Sequence, residues 1–187
     1  SAGRTFINVD RRFCTMKEVT RELIQQCVKS DRRSQTELYS IVFPIMMGMC
    51  RRYVVNYDDA MMLVNNAFIK LIRSLSNYKY DGAFEAWCRK IMTNTIIDEY
   101  RKNKKRNEVL QLREDVASIS RLHTLNETEE KFTAEQLEIM LLALPEATRL
   151  VFNLFAIEGY SHAEIAEMLG ISDGTSKWHV SKAREEL

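Results

Sequence analysis

Apolar residues recur at three- and four-residue spacing along most of this 187-residue chain, and this period constrains the fold more than any other feature. It is typical of amphipathic helices, which turn one apolar side toward a common core. No segment shows a convincing strand pattern. We therefore predict an all-α protein with two helical domains, of which the first is a helical bundle.

Residues 107–133 interrupt the helical period. They are rich in charge and poor in aromatic residues, and they include the polar run 126–131. A segment of this composition buries too little apolar surface to offset the entropy lost on ordering. We predict a charged linker here, with at most a helical turn near residues 109–112, and we place the two domains at residues 15–106 and 134–187.

The charges of the chain nearly balance, with 27 Lys and Arg against 26 Asp and Glu and a net charge of +1. Nucleic-acid-binding domains are usually strongly basic, so any DNA contact of this protein must come from local patches. No apolar run approaches the ~18 residues of a membrane span, and the N-terminus lacks a signal-peptide pattern. We expect a cytoplasmic protein.

The sequence gives little support to an enzyme. Its four cysteines, Cys14, Cys27, Cys50 and Cys88, form no Cys-x-x-Cys pair, so we expect reduced core thiols and no metal site. The histidines have no ligand spacing either. We find no nucleophile with its base and no phosphate-binding glycine loop. We predict a non-enzymatic protein that needs no cofactor.

One predicted helix, over residues 84–106, has a core side and a polar strip beside it. The core side carries Phe84, Cys88, Ile91, Met92 and Thr95. The strip carries Trp87, Lys90, Asn94 and Arg101. An aromatic ring stacks on an unstacked base, an amide bonds to a base edge, and cations hold phosphates. The alternative is an ordinary amphipathic helix with a solvated basic end.

A short helix, a glycine-containing turn and a second helix end the chain, in the spacing of a helix-turn-helix. Ser161 and Glu164 form a capping-box pattern at the first of these helices, and Gly170 is placed to end it. In the last helix, the residues expected to face inward are Ser176, Val180, Ala183 and Leu187. The residues expected to face outward are Lys177, Trp178, Ser181, Lys182 and Arg184. A cationic and aromatic outer face suits the major groove of DNA, and the alternative is a plain helical core with a solvated last helix.

Both halves of the chain resemble bacterial RNA polymerase sigma factors. Residues 161–187, SHAEIAEMLGISDGTSKWHVSKAREEL, resemble the C-terminal DNA-binding domain, and residues 38–106 resemble the domain that binds core polymerase and the −10 promoter element. Two such domains joined by a short linker resemble the extracytoplasmic-function group of the sigma-70 superfamily. The resemblance implies a sigma factor that recognises −10 and −35 elements and directs transcription initiation. The alternative is a helix-turn-helix regulator with a helical N-terminal interaction domain.

The resemblance also implies roles for individual residues. Core polymerase would dock on Asp58, Asp59, Leu63, Asn65, Asn66, Phe68 and Lys70. The −10 element would contact a loop formed by Ser76, Asn77, Tyr78, Lys79, Tyr80, Asp81 and Gly82, and the helix residues Trp87, Lys90, Asn94 and Arg101. The −35 element would contact Thr175, Lys177, Trp178, Ser181, Lys182 and Arg184. The group further implies an anti-sigma protein as a partner, and we expect the free chain to be a monomer.

The chain departs from the family pattern at its docking helix. Met62, Asn65 and Asn66 stand where the family usually has Asp, Gln and Glu. This removes negative charge from a face expected to meet a basic partner, so we predict a weakened but not abolished attachment to core polymerase. In the last helix, Ser176 stands where the family favours a branched apolar residue, and Trp178 stands where a smaller or basic residue is common.

Overall fold

The computed structural model describes residues 19–111 and 134–187, and in these ranges it contains α-helices and no strand. The helices are α1 (Arg21–Val28), α2 (Arg32–Cys50), α3 (Tyr57–Ser74), α4 (Phe84–Gln111), α5 (Ala134–Ala143), α6 (Glu146–Phe152), α7 (His162–Leu169) and α8 (Asp173–Glu186). The all-α prediction is confirmed for this part of the chain. The described residues divide into two compact units, an N-terminal unit that ends at Glu99 and a C-terminal unit that begins at Tyr100. None of these helices has both the length and the apolar character needed to cross a membrane.

Polar side chains fix where the first three helices begin. Thr20, Asp31 and Asn56 are the N-cap residues of α1, α2 and α3, and each side chain accepts a hydrogen bond from a first-turn amide. In α3, the amide of Asp58 donates to Asn56 Oδ1 at 2.8 Å, and the helix begins at the residue after Asn56, Tyr57. Such caps satisfy amides that have no partner inside the helix.

The core of the N-terminal unit follows the helical period. In α2, the apolar residues at three- and four-residue spacing are buried, namely Leu38, Val42, Ile45, Met46 and Met49. Pro44 lies inside α2 with its ring exposed. In α3, the buried residues include Leu63, Ala67 and Leu71, which also recur every four residues. Local apolar spacing therefore predicted this core correctly.

The helix α4 is longer and more deeply buried than predicted. Of its predicted core residues, Phe84, Cys88, Met92 and Thr95 are buried, whereas Ile91 is only half-buried. Thr93, Ile96 and Ile97 are buried as well, so the buried arc is wider than a single stripe. The helix continues to Gln111, and residues 107–111, which the sequence assigned to the linker, are therefore helical. The rest of the predicted linker lies outside the described residues, as do residues 15–18 of the first predicted domain.

The C-terminal unit packs its helices around one small core. The centre of this core consists of Leu141, Leu144, Phe152 and Ala183. A π-helical turn, Asn153–Ile157, continues α6, and Gly159 follows it with φ of 84°. The predicted capping box is present, because Ser161 N donates to Glu164 Oε2 at 2.8 Å and Glu164 N donates to Ser161 Oγ at 3.3 Å. Gly170 ends α7 with φ of 64°, a left-handed conformation that glycine adopts without strain.

A buried cation holds the end of α5. Arg149 is 9% exposed, and its Nη1 donates to the carbonyl oxygens of Leu142 at 2.9 Å and Leu144 at 3.2 Å. Carbonyls at the end of a helix lack helical partners, so this side chain satisfies two of them. Pro145 lies between the two helices as the N-cap residue of α6.

Candidate nucleic-acid interface

Four aromatic rings meet where α4 begins, and Tyr78 lies at their centre. Its ring centroid is 4.8 Å from that of Tyr80, 5.1 Å from that of Trp87 and 5.2 Å from that of Phe84. Phe84 is buried, and the other three residues are half-buried. Tilted and edge-on ring pairs at these distances stabilise one another beyond the area that they bury. We call these four residues the aromatic cluster.

The loop before α4, residues 76–82, has a backbone that is fixed from within. It leaves α3 through a short 3-10 turn, Leu75–Asn77, and Tyr78 Oη donates to the carbonyl oxygen of Gly82 at 2.6 Å. Tyr80 has φ of 57°, a left-handed conformation that persists only where the surroundings hold it. Burial, and to a lesser degree the charge of Asp81, raises the pKa of Tyr78, so its hydroxyl keeps the donor proton. The remaining predicted loop residues are exposed, namely Ser76, Asn77, Lys79, Asp81 and Gly82.

The polar strip predicted on α4 lies at the surface. Trp87, Lys90 and Asn94 are three and four residues apart, so they share one face of the helix, and Lys90 and Asn94 are exposed. Arg101 is exposed and follows Asn94 at seven-residue spacing. Trp87 also belongs to the aromatic cluster, so Trp87, Lys90 and Asn94 extend the surface of the cluster within the N-terminal unit. Arg101 belongs to the C-terminal unit, where its guanidinium donates to the carbonyl oxygen of Met168.

A neighbour of this surface, Arg21, was missed by the sequence analysis. It is the first residue of α1, and its guanidinium carbon lies 4.8 Å from the centre of the Tyr80 ring. Two open grooves, of about 650 Å³ and about 300 Å³, are both lined by Tyr78 and Tyr80. No sequence signal points to Arg21, because it precedes the loop by two whole helices and lies in no motif.

The outer face of α3 is polar, with the exposed Tyr57 in its first turn and two exposed aliphatic side chains further along. Its exposed polar residues include Asp58, Asp59, Asn65 and Asn66. Met62 is 59% exposed and Ile69 is 48% exposed. Asn65 Oδ1 accepts a hydrogen bond from Tyr39 Oη of α2 at 2.9 Å, so this amide is already held in place. The face thus combines limited negative charge with exposed apolar surface.

The apolar docking residues implied by the family pattern are not the ones that reach the surface. Leu63 is 5% exposed and lies in the core of the N-terminal unit, so its placement on a docking face is corrected. Phe68 is half-buried, and its ring packs edge-on against that of Tyr39 at 4.9 Å. Lys70 Nζ lies 2.8 Å from Asp98 Oδ2, in an exposed ion pair. A partner of α3 would therefore meet Met62 and Ile69 rather than Leu63.

The last helix, α8, presents the outer face that its sequence predicts. Of its predicted inward residues, Ser176, Val180 and Ala183 are buried, and Leu187, which follows the helix, is half-buried. The exposed outer residues are Thr175, Lys177, Trp178, Ser181 and Arg184, and Lys182 is half-buried beside them. Trp178 is 56% exposed, and exposed aromatic rings of this kind are enriched at binding surfaces.

Both lysines of this face are paired with carboxylates of the same helix. Lys177 forms an ion pair with Asp173, and Lys182 Nζ lies 3.6 Å from Glu186 Oε1. Lys182 Nζ also lies 5.2 Å from the centre of the Trp178 ring. The face is therefore less positive than its lysines alone indicate. A phosphate that binds here has to replace a carboxylate.

Two histidines join α8 to the rest of the C-terminal unit. His162 Nδ1 lies 3.0 Å from Ser176 Oγ, with its ring stacked on Phe155 at 4.3 Å, and His179 Nδ1 lies 3.0 Å from Thr148 Oγ1. Ser176 and Thr148 are 0% and 2% exposed, so each hydroxyl needs a buried partner, and a histidine supplies it. Burial lowers the pKa of both histidines, so both are neutral at neutral pH. His162 thereby explains how a polar residue is tolerated at position 176.

The cysteines lack the surroundings of a reactive or metal-binding thiol. Cys27, Cys50 and Cys88 are free and buried, and burial raises their pKa to about 11, about 12 and about 12. They are protonated core thiols, as predicted, whereas Cys14 lies outside the described residues. Across residues 19–111 and 134–187, no three His, Cys, Asp or Glu side chains are grouped so that they could hold a metal ion.

Both halves of the chain match protein-family models that describe regions of Sigma-70. A protein-family model described as Sigma-70 region 2 matches residues 38–106, and one described as Sigma-70, region 4 matches residues 134–187. The ECF RNA polymerase sigma factor SigM of Mycobacterium tuberculosis is 27% identical over 166 residues, which cover 89% of this chain and 81% of the relative. The RNA polymerase sigma-H factor of Pseudomonas aeruginosa is 26% identical over 179 residues, which cover 91% and 93%. The ECF RNA polymerase sigma factor SigE of Mycolicibacterium smegmatis is 31% identical over 133 residues, which cover 71% and 51%.

Proposed function

The chain belongs to the extracytoplasmic-function group of the sigma-70 family and is an RNA polymerase sigma factor, and from this premise we propose how its parts divide the work. Residues 15–106 bind core polymerase and the melted −10 element, residues 107–133 connect, and residues 134–187 bind the −35 element as duplex. The observation that carries this proposal is the aromatic cluster with its polar strip. A conventional helix-turn-helix regulator would leave that single-strand surface without a purpose.

The aromatic cluster suits the unstacked bases of a melted strand. Tyr80 and Trp87 leave part of their rings at the surface, and stacking of a base on an aromatic ring contributes about 1–3 kcal/mol. Lys90 and Arg101 supply cations for the phosphates, and Asn94 can both donate to and accept from a base edge. Because the loop is fixed from within, little conformational freedom is lost when the strand binds.

The outer face of α8 suits the major groove, which is wide enough for one helix. When DNA binds, Lys177 and Lys182 leave the carboxylates of α8 with which they are paired and pair with DNA phosphates instead. Their contribution to DNA affinity therefore falls as the salt concentration rises. The side chains left to read base edges are Thr175, Trp178, Ser181 and Arg184. The contacts of His162 with Ser176 and of His179 with Thr148, which we call the histidine joints, hold this helix at a fixed position in the C-terminal unit.

Core polymerase docks on the outer face of α3. The two aspartates of its first turn supply negative charge, and Met62 and Ile69 supply the exposed apolar contact that Leu63 does not. Asn65 and Asn66 are uncharged. This face therefore attracts a basic partner less strongly than a face with acidic residues at these two positions would. Attachment to the polymerase then depends more on apolar contact than on charge.

A single acidic substitution tests this docking face. Asn66→Glu should tighten binding to core polymerase by less than about tenfold, because an exposed charge pair contributes only ~0–1 kcal/mol. A titration of labelled protein with core polymerase at low salt measures the change, and Asn66→Gln is the matched variant that adds length without charge. If the native chain does not bind at micromolar concentration while the glutamate variant binds well, the native face is not a docking site.

Run-off transcription tests the whole proposal. Core polymerase with genomic fragments should give discrete transcripts only when this protein is added. Trp87→Ala should reduce those transcripts, and Arg33→Ala, which removes an exposed arginine of α2, should not. A regulator would alter transcription by holoenzymes that already contain a sigma factor, and it would not be retained by core polymerase in a pull-down. Failure to yield any transcript above that of core polymerase alone would contradict the assignment of these roles.

The same proposal places the protein in the cytoplasm, as a monomer when free and without a catalytic group of its own. Membership of the group also leads us to expect an anti-sigma protein that covers the DNA-binding and polymerase-binding faces. Light scattering on the purified chain measures its mass in solution. A dimer at working concentration would contradict the monomer.

A further inference from the structure

A groove runs between the first turn of α1 and the start of α4, beside the aromatic cluster. It has a volume of about 650 Å³. Its walls include Thr20, Arg21 and Glu22 on one side and Tyr80, Phe84 and Glu85 on the other. A volume of this size is within the ~300–1,000 Å³ that ligand sites usually have. The groove therefore has room for one nucleotide, with aromatic rings along one wall.

The position of Arg21 gives this groove a directed cation. Its guanidinium lies over the ring of Tyr80, 4.8 Å from the ring centre, and Tyr80 in turn packs against Tyr78 at 4.8 Å. A guanidinium held over a ring by cation–π attraction keeps N–H groups that can donate to an acceptor. Those groups form the planar fork that binds phosphate oxygens in pairs.

The Tyr80 ring beneath the Arg21 guanidinium is itself held in place. The hydrogen bond from Tyr78 Oη to Gly82 O closes the loop, and Tyr80 keeps its left-handed backbone within that closed turn. Arg21 is therefore positioned by a preformed element that needs no ligand to order it. An exposed arginine on a mobile segment would lose more side-chain freedom on binding a phosphate.

From this arrangement we infer that Arg21 is a DNA-binding residue of the N-terminal unit, which holds a phosphate of the melted −10 strand while the adjoining nucleotide enters the groove beside Tyr80. The inference rests on the proposed function, because it adds a contact from α1 to the surface made by the loop and α4. It also extends that surface to a helix that the sequence analysis did not connect with DNA.

Two carboxylates, those of Glu22 and Glu85, line the groove. Glu85 Oε1 lies 2.9 Å from Arg89 Nε, so its charge is offset within α4. Glu22 is exposed next to Arg21 and would repel a phosphate in the groove. Neighbouring residues of α1 should therefore act on strand binding in opposite directions.

The test uses the holoenzyme formed from core polymerase and the full chain. The probe is a fluorescein-labelled single strand, taken from the non-template −10 region of a promoter found by run-off transcription. Fluorescence anisotropy measures its affinity over a series of salt concentrations. The variants are Arg21→Ala, Arg21→Lys, Glu22→Gln and, as the matched loss of an arginine outside the groove, Arg33→Ala.

Arg21→Ala should weaken strand binding by about tenfold at low salt and lower the slope of log affinity against log salt by about 0.7, the share of one phosphate on a single strand. Arg21→Lys should keep the slope and lose part of the affinity, because it keeps the charge without the planar fork. Glu22→Gln should tighten binding by about two- to fivefold. Arg33→Ala should match the native holoenzyme.

Three results would overturn the inference, and they are distinguishable. A native salt slope in Arg21→Ala would limit Arg21 to supporting the Tyr80 ring, and the proposed −10 function would stand. No effect of Glu22→Gln would place the phosphate outside this groove. A native holoenzyme that does not bind the strand would remove the −10 function and this contact together.

Discussion

The aromatic cluster beside α4 and the outer face of α8 are both proposed to meet DNA, but they are prepared for it differently. At the cluster, three rings 4.8–5.2 Å from that of Tyr78 and the hydrogen bond from Tyr78 to Gly82 fix the surface before any strand arrives. At α8, the lysines are occupied by Asp173 and Glu186 of the same helix. The first surface is preformed, whereas the second has to exchange partners.

This difference follows from what each surface is proposed to bind. Unstacked bases offer flat apolar faces, so a rigid aromatic platform gains affinity by losing little entropy. Duplex phosphates offer charge, and a carboxylate can hold a lysine in place until a phosphate replaces it. Binding at the cluster should therefore depend mainly on packing, and binding at α8 mainly on salt.

Loss of the central ring should have the largest effect. Tyr78→Ala removes three ring contacts and the bond that closes the loop, so affinity for the −10 single strand should fall more than about thirtyfold, or about 2 kcal/mol. Tyr78→Phe removes only the hydrogen bond and should cost about fivefold. Anisotropy with the labelled strand measures both. Comparable losses in the two variants would make the hydroxyl, rather than the packing, the basis of the preformed surface.

Loss of the two lysines on α8 should have an intermediate effect. Lys177→Ala with Lys182→Ala should weaken −35 duplex binding about tenfold at low salt and reduce the salt slope by about 1.8, since each phosphate contact on duplex DNA contributes about 0.9. Glu186→Gln should act in the opposite direction, because it frees Lys182. Titrations of duplex at several salt concentrations check both. An unchanged slope in the double variant would remove these lysines from the interface.

A fall in pH should have the smallest effect, and it should act on α8 alone. The pKa of His162 and of His179 is lowered mainly by burial, so the unfolded chain binds more protons below about pH 6.5 and the folded unit loses stability there. The positive charges of Lys177 and Arg184 also lower the pKa of His162, whereas the negative charge of Asp173 raises it. The positive charge of Lys182 lowers the pKa of His179. Stability is thus lost as the pH falls from about 6.5 through the lower pKa of the folded state.

Parallel titrations of −35 duplex and −10 single strand between about pH 7.5 and about pH 5.5 measure this difference. Duplex binding should weaken at the acidic end while single-strand binding stays level, since all three histidines, His123, His162 and His179, lie after α4. The variant His162→Gln with His179→Gln should bind duplex with less dependence on pH. Equal acid sensitivity of both sites would contradict a role for the histidine joints.

The sequence placed α8 and its two faces correctly, but it described the docking helix less well. On α8, a single helical period separates Ser176 and Val180, which are buried, from Trp178, which is exposed. On α3, Leu63 shares a four-residue spacing with the buried Ala67 and Leu71, whereas the family pattern assigned it to a partner, and the structure agrees with the spacing. A residue type at a family position does not state which way its side chain points, whereas helical spacing does.

What the sequence determined by itself is local: the helices, the capping box of Ser161 and Glu164, the stop at Gly170 and the inner faces of α2 and α8. Each depends on residues at most a turn or two apart, whose contacts follow from helix geometry alone. Only the tertiary structure decided which distant residues meet. Arg21 reaches Tyr80 past α2 and α3, His179 reaches Thr148 past α7, and His162 reaches Ser176 on the next helix, and no local pattern specifies how these helices pack. Those contacts depend on how whole helices fit together, so they are visible in the fold, whereas spacing along the chain could not predict them.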